Sequence, residues 1–277
     1  MKDKMEFFRK HWWKIIILVE LVIVGGIVVT FLSYQKTIQN LDENNLPKFV
    51  QADWIDISRI GSISKFRSAV GHDYSHGTNE TCRSMKHYFS PNGAFGKSPK
   101  EESLENLDDP QKKASLNGSK EPVAPTEPTI DIFSPVDGKI TRIEQPGESN
   151  TPIGGEVRIR PNSNREYEFR LGHVYPRGIS EGQGIKAGQK IGVIGAHQSV
   201  DMVLGVEGFG GYRLVSYFQV MPDEIFAKYK ERFGVKNQSN LVITKEYRDA
   251  HPLKCVPGSE EFVGGSSSDP NESVGLP

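Results

Sequence analysis

The sequence predicts a mainly β fold, an antiparallel sheet or sandwich with a few short helices, preceded by one transmembrane helix. Three observations lead there. Short segments alternate apolar and polar residues at period two, glycines punctuate them, and one long apolar run stands alone near the N-terminus.

In chain order, the apolar run comes first. Ile15 to Leu32 reads IIILVELVIVGGIVVTFL, 18 residues with Glu20 as the only charge. At 1.5 Å per residue such a helix is roughly 27 Å long, close to the thickness of a bilayer's hydrocarbon core. Phe7, Phe8, Trp12 and Trp13 before it and Tyr34 after it suit the two interfacial aromatic belts. Lys2, Lys4, Arg9, Lys10 and Lys14 precede the run, and only Lys36 follows closely. The positive-inside rule then leaves residues 1–14 in the cytoplasm, 15–32 in the cell membrane, and the main domain extracytoplasmic. No Ala-x-Ala-like site follows, which favours an uncleaved signal anchor over a signal peptide.

After the anchor, residues 35–96 form the N-terminal part of the exterior domain. Residues 97–130 hold few apolar side chains and no periodicity, so they read as a flexible insertion. Residues 131–255 carry the β pattern. EVRIR (156–160) and YEFRLGHV (167–174) alternate, with Val157, Ile159, Phe169 and Leu171 pointing inward. GIKAGQKIGVIG sets Gly188 and Gly192 between short apolar stretches, and YRLVSYFQVM reads as a further strand. Asp223 is placed to cap a helix over EIFAKYKERFG, which Gly234 would end. Residues 256–277, with GGSSSDPNES, read as a disordered tail.

Composition removes several function classes. With 34 Lys+Arg against 35 Asp+Glu, the net charge of −1 offers no basic excess for a nucleic-acid backbone. A mean hydropathy of −0.47 excludes a polytopic membrane protein. Two cysteines exclude a disulfide-rich scaffold and a four-cysteine zinc site. Outside the cytoplasm, Cys82 and Cys255 form either a bridge across the insertion or two buried thiols.

The polar residues that could carry chemistry gather in two places. His72, Asp73 and His76 crowd GHDYSH, and His197 and Asp201 lie four apart in HQSVD. His and Asp are good zinc ligands, yet in loops and strands an i,i+4 spacing does not guarantee a shared face. Spacing alone favours ordinary hydrogen-bonded histidines.

The order of segments says more. GHDYSH, IFSPVDGKITRIE, FRLGHVYP, GIKAGQKIGVIG and SVDMVLGV together resemble the lysostaphin/LytM-type metalloendopeptidases, metallopeptidase family twenty-three. Those are cell-wall hydrolases with a duplicated-hybrid-motif β-fold. The resemblance covers about residues 66–222, interrupted by 97–130, and IKAGQKIGVIG is its most specific match. Biotinyl and lipoyl domains share the glycine spacing, but no modifiable lysine hairpin is present.

The family binds zinc through His-x-x-x-Asp and the second His of His-x-His, with further histidines assisting. By resemblance the first motif falls on Ala69 and Asp73, and the second on Asp201-Met202-Val203. Asp73 is thus the one expected ligand retained, and Ala69 and Val203 offer zinc no lone pair. His173 and Asp201 fall on the positions that assist catalysis. His72, His76, His87 and His197 are the candidates for a displaced metal site.

Three functions follow. The first is a membrane-anchored, extracytoplasmic LytM-like pseudoenzyme that needs no cofactor and binds peptidoglycan or an envelope protein. The second is an active zinc metalloendopeptidase, a peptidoglycan hydrolase with displaced ligands. The third is a structural, stalked module.

Overall fold

The computed structural model describes residues 12, 14, 16–29, 41–43, 45–92, 124, 125, 127–148, 153–208, 211–267 and 269–277. The chain divides into two units, Met1–Asp42 with Gly208–Gly211, and Glu43–Glu207 with Tyr212–Pro277.

In the first unit residues 16–29 are helical and every one of them is exposed. Leu18, Leu21 and Val22 keep 64%, 64% and 68% of their surface open. Among the described residues no helix is long and apolar enough to cross a membrane. Ile15 and residues 30–32 of the expected span lie outside the described residues, as do most of residues 1–14.

The second unit is built on β1 (Ile60–Ser64), β2 (His87–Pro91), β3 (Thr129–Phe133), β4 (Gly138–Glu144), β5 (Gly155–Pro161) and β6 (Tyr167–Pro176). It continues through β7 (Gly184–Ile185), β8 (Lys190–Gly195), β9 (Val200–Gly208), β10 (Gly211–Val215) and β11 (Ser273–Gly275). The main order is β11-β1-β2-β9-β6-β5-β4-β7, with β10 on β9 and β8 joining β3 to β6. The paired strands run antiparallel, as expected from the alternation.

The inward residues are those the period-two pattern selects. Val157 faces Leu171 and Ile159 faces Phe169 across β5 and β6, all four with no exposed surface. Cross-strand pairs of this size, repeated along the sheet, are what hold an antiparallel pair together. β6 does two jobs. Tyr167 to Gly172 pair with β9, and Tyr175 and Pro176 pair with β8. His173 stands at the changeover, with φ at 63°.

Two helices follow the sheet, α1 (Asp223–Phe233) and α2 (Lys245–Ala250). α1 buries Phe226, Tyr229 and Phe233, and Gly234 in the left-handed conformation ends it. Its N-cap is Pro222 rather than Asp223, which is the first helical residue and gives no capping bond. Phe218 packs edge-on against Tyr217, Phe226 and Tyr229, filling the core with aromatic rings. YRLVSYFQVM is only half strand, because Ser216 caps a 3-10 turn over Tyr217–Val220.

Two boundaries need correction. β3 begins at Thr129, inside the expected 97–130 insertion, whose residues 97–123 lie outside the described ones. The expected disordered tail, 256–277, is ordered: β11 pairs with β1, and Glu272 forms an ion pair with Arg248 at 2.7 Å. Its glycines and serines bury little apolar surface, so backbone hydrogen bonds and that carboxylate hold it instead.

Candidate functional site

β9 and β6 bring Asp201 opposite Gly172, and a Cβ at Gly172 would run into the Asp201 carboxylate. β2 pairs with β9 on its other side, placing Tyr88 opposite Asp201. Lys86, just before β2, alternates onto the same face as Tyr88. Its Nζ donates to Asp201 Oδ2 at 2.5 Å and to His72 Nε2 at 3.0 Å. The Tyr88 ring centre lies 4.8 Å from the same nitrogen. The two side chains of the Lys86–Asp201 pair are 4% and 7% exposed, so this is a buried ion pair.

The partners fix the proton positions. Because His72 Nε2 accepts from an ammonium, its ring proton sits on Nδ1 and faces the Asp73 carbonyl at 3.0 Å and Glu260 Oε2 at 3.1 Å. Burial, then the charge of Lys86, holds His72 below the usual histidine range. Burial alone would raise Asp201, but Lys86 and His173 outweigh it and keep the carboxyl below its ordinary value. Burial would likewise lower Lys86, and Asp201 reverses that, so the amine stays charged. Tyr88 is pushed up to about 12 by burial and stays a phenol.

The positions expected to hold zinc are otherwise engaged. Asp73 Oδ1 accepts from Ser75 N at 3.0 Å, Ser75 Oγ at 2.6 Å and Arg83 N at 3.0 Å. Its other oxygen lies 3.6 Å from Cys255 Sγ, a sulfur already bonded to Cys82. Ala69 donates its backbone N–H to Glu272 Oε2 at 2.9 Å and accepts from Ser267 N at 2.8 Å. Val203 is 2% exposed in an apolar cluster with Phe66, Met85 and Leu214, against which Tyr74 and Tyr212 pack.

Of the other expected residues, His173 lies beside Asp201 on the next strand, with Nδ1 3.2 Å from the Ile153 carbonyl. Its left-handed backbone is strained for a non-glycine residue, a cost of order 1–3 kcal/mol. His76 and His197 are exposed and do not join the cluster. His87 points to the opposite face of β2, into the core, with Nδ1 2.8 Å from the Ser64 carbonyl and Nε2 2.7 Å from Ser216 Oγ. It is therefore no candidate ligand, since both ring nitrogens are engaged where no ion can reach. Among the described residues no three His, Cys, Asp or Glu side chains gather closely enough to hold a metal ion.

Lys86 and Glu260 were missed in the sequence. The signal for Lys86 was present in SMKHYF, where period two separates Lys86 and Tyr88 from His87 and Phe89. Glu260 lay in the segment read as disordered.

Two cavities lie elsewhere. One of about 790 Å³ is lined by Asp53, Asp56, Arg59, Asp131, Glu224 and Lys228 among others, and one of about 670 Å³ by Ala69, Lys254 and Phe262 among others. Neither is lined by Lys86, His173 or Asp201.

No family model matches the chain, and no curated protein does. Solved structures do. A zinc-containing peptidase from Vibrio cholerae is 16% identical over 64% of this chain and 41% of its own, with a TM-score of 0.34. Lysostaphin in solution is 14% identical over 70% of this chain and 64% of its own, at 0.32. A chain of the SpoIIQ–SpoIIIAH pore-forming complex is 12% identical over 67% and 98%, at 0.37. The chain is similar to the LytM-type peptidases, and divergent from them. It spans less than half the length of the Vibrio chain. At TM-scores below 0.5 the site stands on this chain's own residues.

A catalytic zinc needs three protein lone pairs converging at about 2 Å, with a fourth position open. Ala69 and Val203 supply none, Asp73 Oδ1 is held by three donors, and an ammonium stands against Asp201 and His72. These residues do not fit the ion.

Proposed function

We propose that this chain is a membrane-anchored, extracytoplasmic LytM-like domain that performs no hydrolysis and binds an envelope ligand, peptidoglycan or a protein. Val203 carries this reading. A histidine is required there for Lewis-acid chemistry, and the valine is instead packed among Phe66, Met85 and Leu214. Asp73 supports it, because its carboxylate serves the turn to Ser75 and the Arg83 backbone. The uncovered apolar helix over 16–29 supports the anchor.

The test is elemental analysis of the full chain, purified in detergent micelles, before and after long dialysis without chelator. Zinc well below one ion per chain, in folded protein that sediments with envelope material, is the expected result. Dialysis-resistant zinc near one per chain would overturn the non-catalytic reading in favour of a metalloendopeptidase. Metal-free protein that sediments with no envelope fraction would remove the binding part.

A further inference from the structure

An ammonium buried to 4% exposure is unusual in a soluble fold, and lysine is almost never found there unless paired. Lys86 is more than paired. Its Nζ donates to a carboxylate and to an imidazole nitrogen on different parts of the chain, Asp201 on β9 and His72 in the 71–75 loop. The rings of Tyr74 and Tyr88 stand 4.6 and 4.8 Å from the nitrogen. A carboxylate, a nitrogen lone pair and aromatic faces are the groups that bind a free ammonium-type cation. The surrounding backbone is shaped to the same end. A Cβ at Gly71 would strike the Tyr88 ring, and one at Gly172 would strike Asp201.

We propose that Lys86 is the site's own cation, a tethered ammonium that joins the 71–75 loop, β2 and β9. The socket left by removing its side chain then takes a small free ammonium. An ordinary surface ion pair would contribute little and be screened by salt. Here both partners are buried, so truncating the lysine strands the Asp201 carboxylate without a counter-charge, which is strongly destabilising. A free cation of matching size repairs that loss, whereas a large one does not enter.

The experiment uses the full chain in micelles as wild type, Lys86→Ala and the neutral pair Lys86→Met/Asp201→Asn. Thermal midpoints are measured in ammonium, methylammonium, sodium and tetramethylammonium chloride at matched ionic strength. Lys86→Ala should melt several degrees below wild type and recover with ammonium or methylammonium, but not with tetramethylammonium. Wild type and the neutral pair should respond alike to all four salts. A Lys86→Ala midpoint equal to wild type, or an equal response to every salt, would overturn the proposal. If Lys86→Ala does not fold, refolding yield decides. Recovery with methylammonium supports the tethered cation, and none, while the neutral pair folds, overturns it. The proposal deepens the non-catalytic reading and rests on it. Zinc bound by wild type would sink both, whereas a metal-free wild type with a cation-indifferent Lys86→Ala would sink this one alone.

Discussion

His87 shows how one buried ring sets a dependence on pH. The Ser64 carbonyl can only accept, so Nδ1 carries the proton and Nε2 accepts from the Ser216 hydroxyl. That neutral tautomer is complete, and a second ring proton would make the Ser216 hydroxyl turn from donor to acceptor and lose its own hydrogen-bond partner. Burial pulls the pKa down to about 4. The folded state therefore binds fewer protons than the unfolded state between the unfolded histidine value near 6.5 and about 4. The stability is fully present above 6.5 and is lost as pH falls through that window, on the order of 3 kcal/mol in all. His72 is shifted the same way and adds to the same slope. Urea unfolding at a series of pH values should show the decline in wild type and a shallower one in His87→Gln. Equal slopes would assign the effect to other groups. In the sequence His87 looked like any other histidine near Asp73. The face it shares with Phe89 was readable from period two, but only once β2 was known to start there.

At the scale of elements, the C-terminal segment was the part least legible. Its composition lacks the apolar residues that burial requires, and among its described residues only Phe262 enters the core, at 5% exposure. What orders it is long-range and polar. Gly71 N donates to Ser266 Oγ at 2.7 Å, Asp73 N to the Glu260 carbonyl at 2.6 Å, and Lys65 N to the Glu272 carbonyl at 2.9 Å. β11 then closes on β1. None of these partners is near in sequence, so no local pattern announces them. By contrast, β4 to β9 were legible because each alternation could be read alone, although only β4–β5 and β5–β6 among them are neighbours in both sequence and sheet. The strap is fastened at its start by Cys82–Cys255, with Cα atoms 5.7 Å apart and a sequence separation of 173. Closing so long a loop restricts the unfolded chain by about 5 kcal/mol in the entropy picture, an upper figure. Reduction, or Cys255→Ser, should lower the urea midpoint. It should also strip amide-exchange protection from residues 259–276 while β5 and β6 keep theirs. Uniform loss of protection across both regions would mean that the strap and the sheet unfold as one unit.

For the whole molecule, the disulfide and the apolar helix constrain one another. A bridge that contributes several kcal/mol persists in an oxidising compartment and is rare in the cytosol. The helix over 16–29 exposes apolar side chains all round, which a soluble protein seldom tolerates over such a stretch. Each helical turn of leucine, isoleucine and valine left in water forgoes burial worth about 1.5–3 kcal/mol per side chain, which is the ground for the proposed membrane anchor. If the positive flank keeps residues 1–14 inside, as proposed, the sheet and its disulfide would lie outside, in keeping with a compartment that permits the bridge. Alkaline carbonate should therefore leave the full chain in the membrane pellet and release a chain lacking residues 1–34. In spheroplasts, added protease should remove the main domain, and thiol-blocking reagent applied before lysis should find Cys82 and Cys255 already bonded. Free thiols in a protease-resistant, carbonate-resistant chain would invert the topology: the anchor would stand, but the sheet would face the cytoplasm, and an envelope ligand outside the membrane would be out of reach.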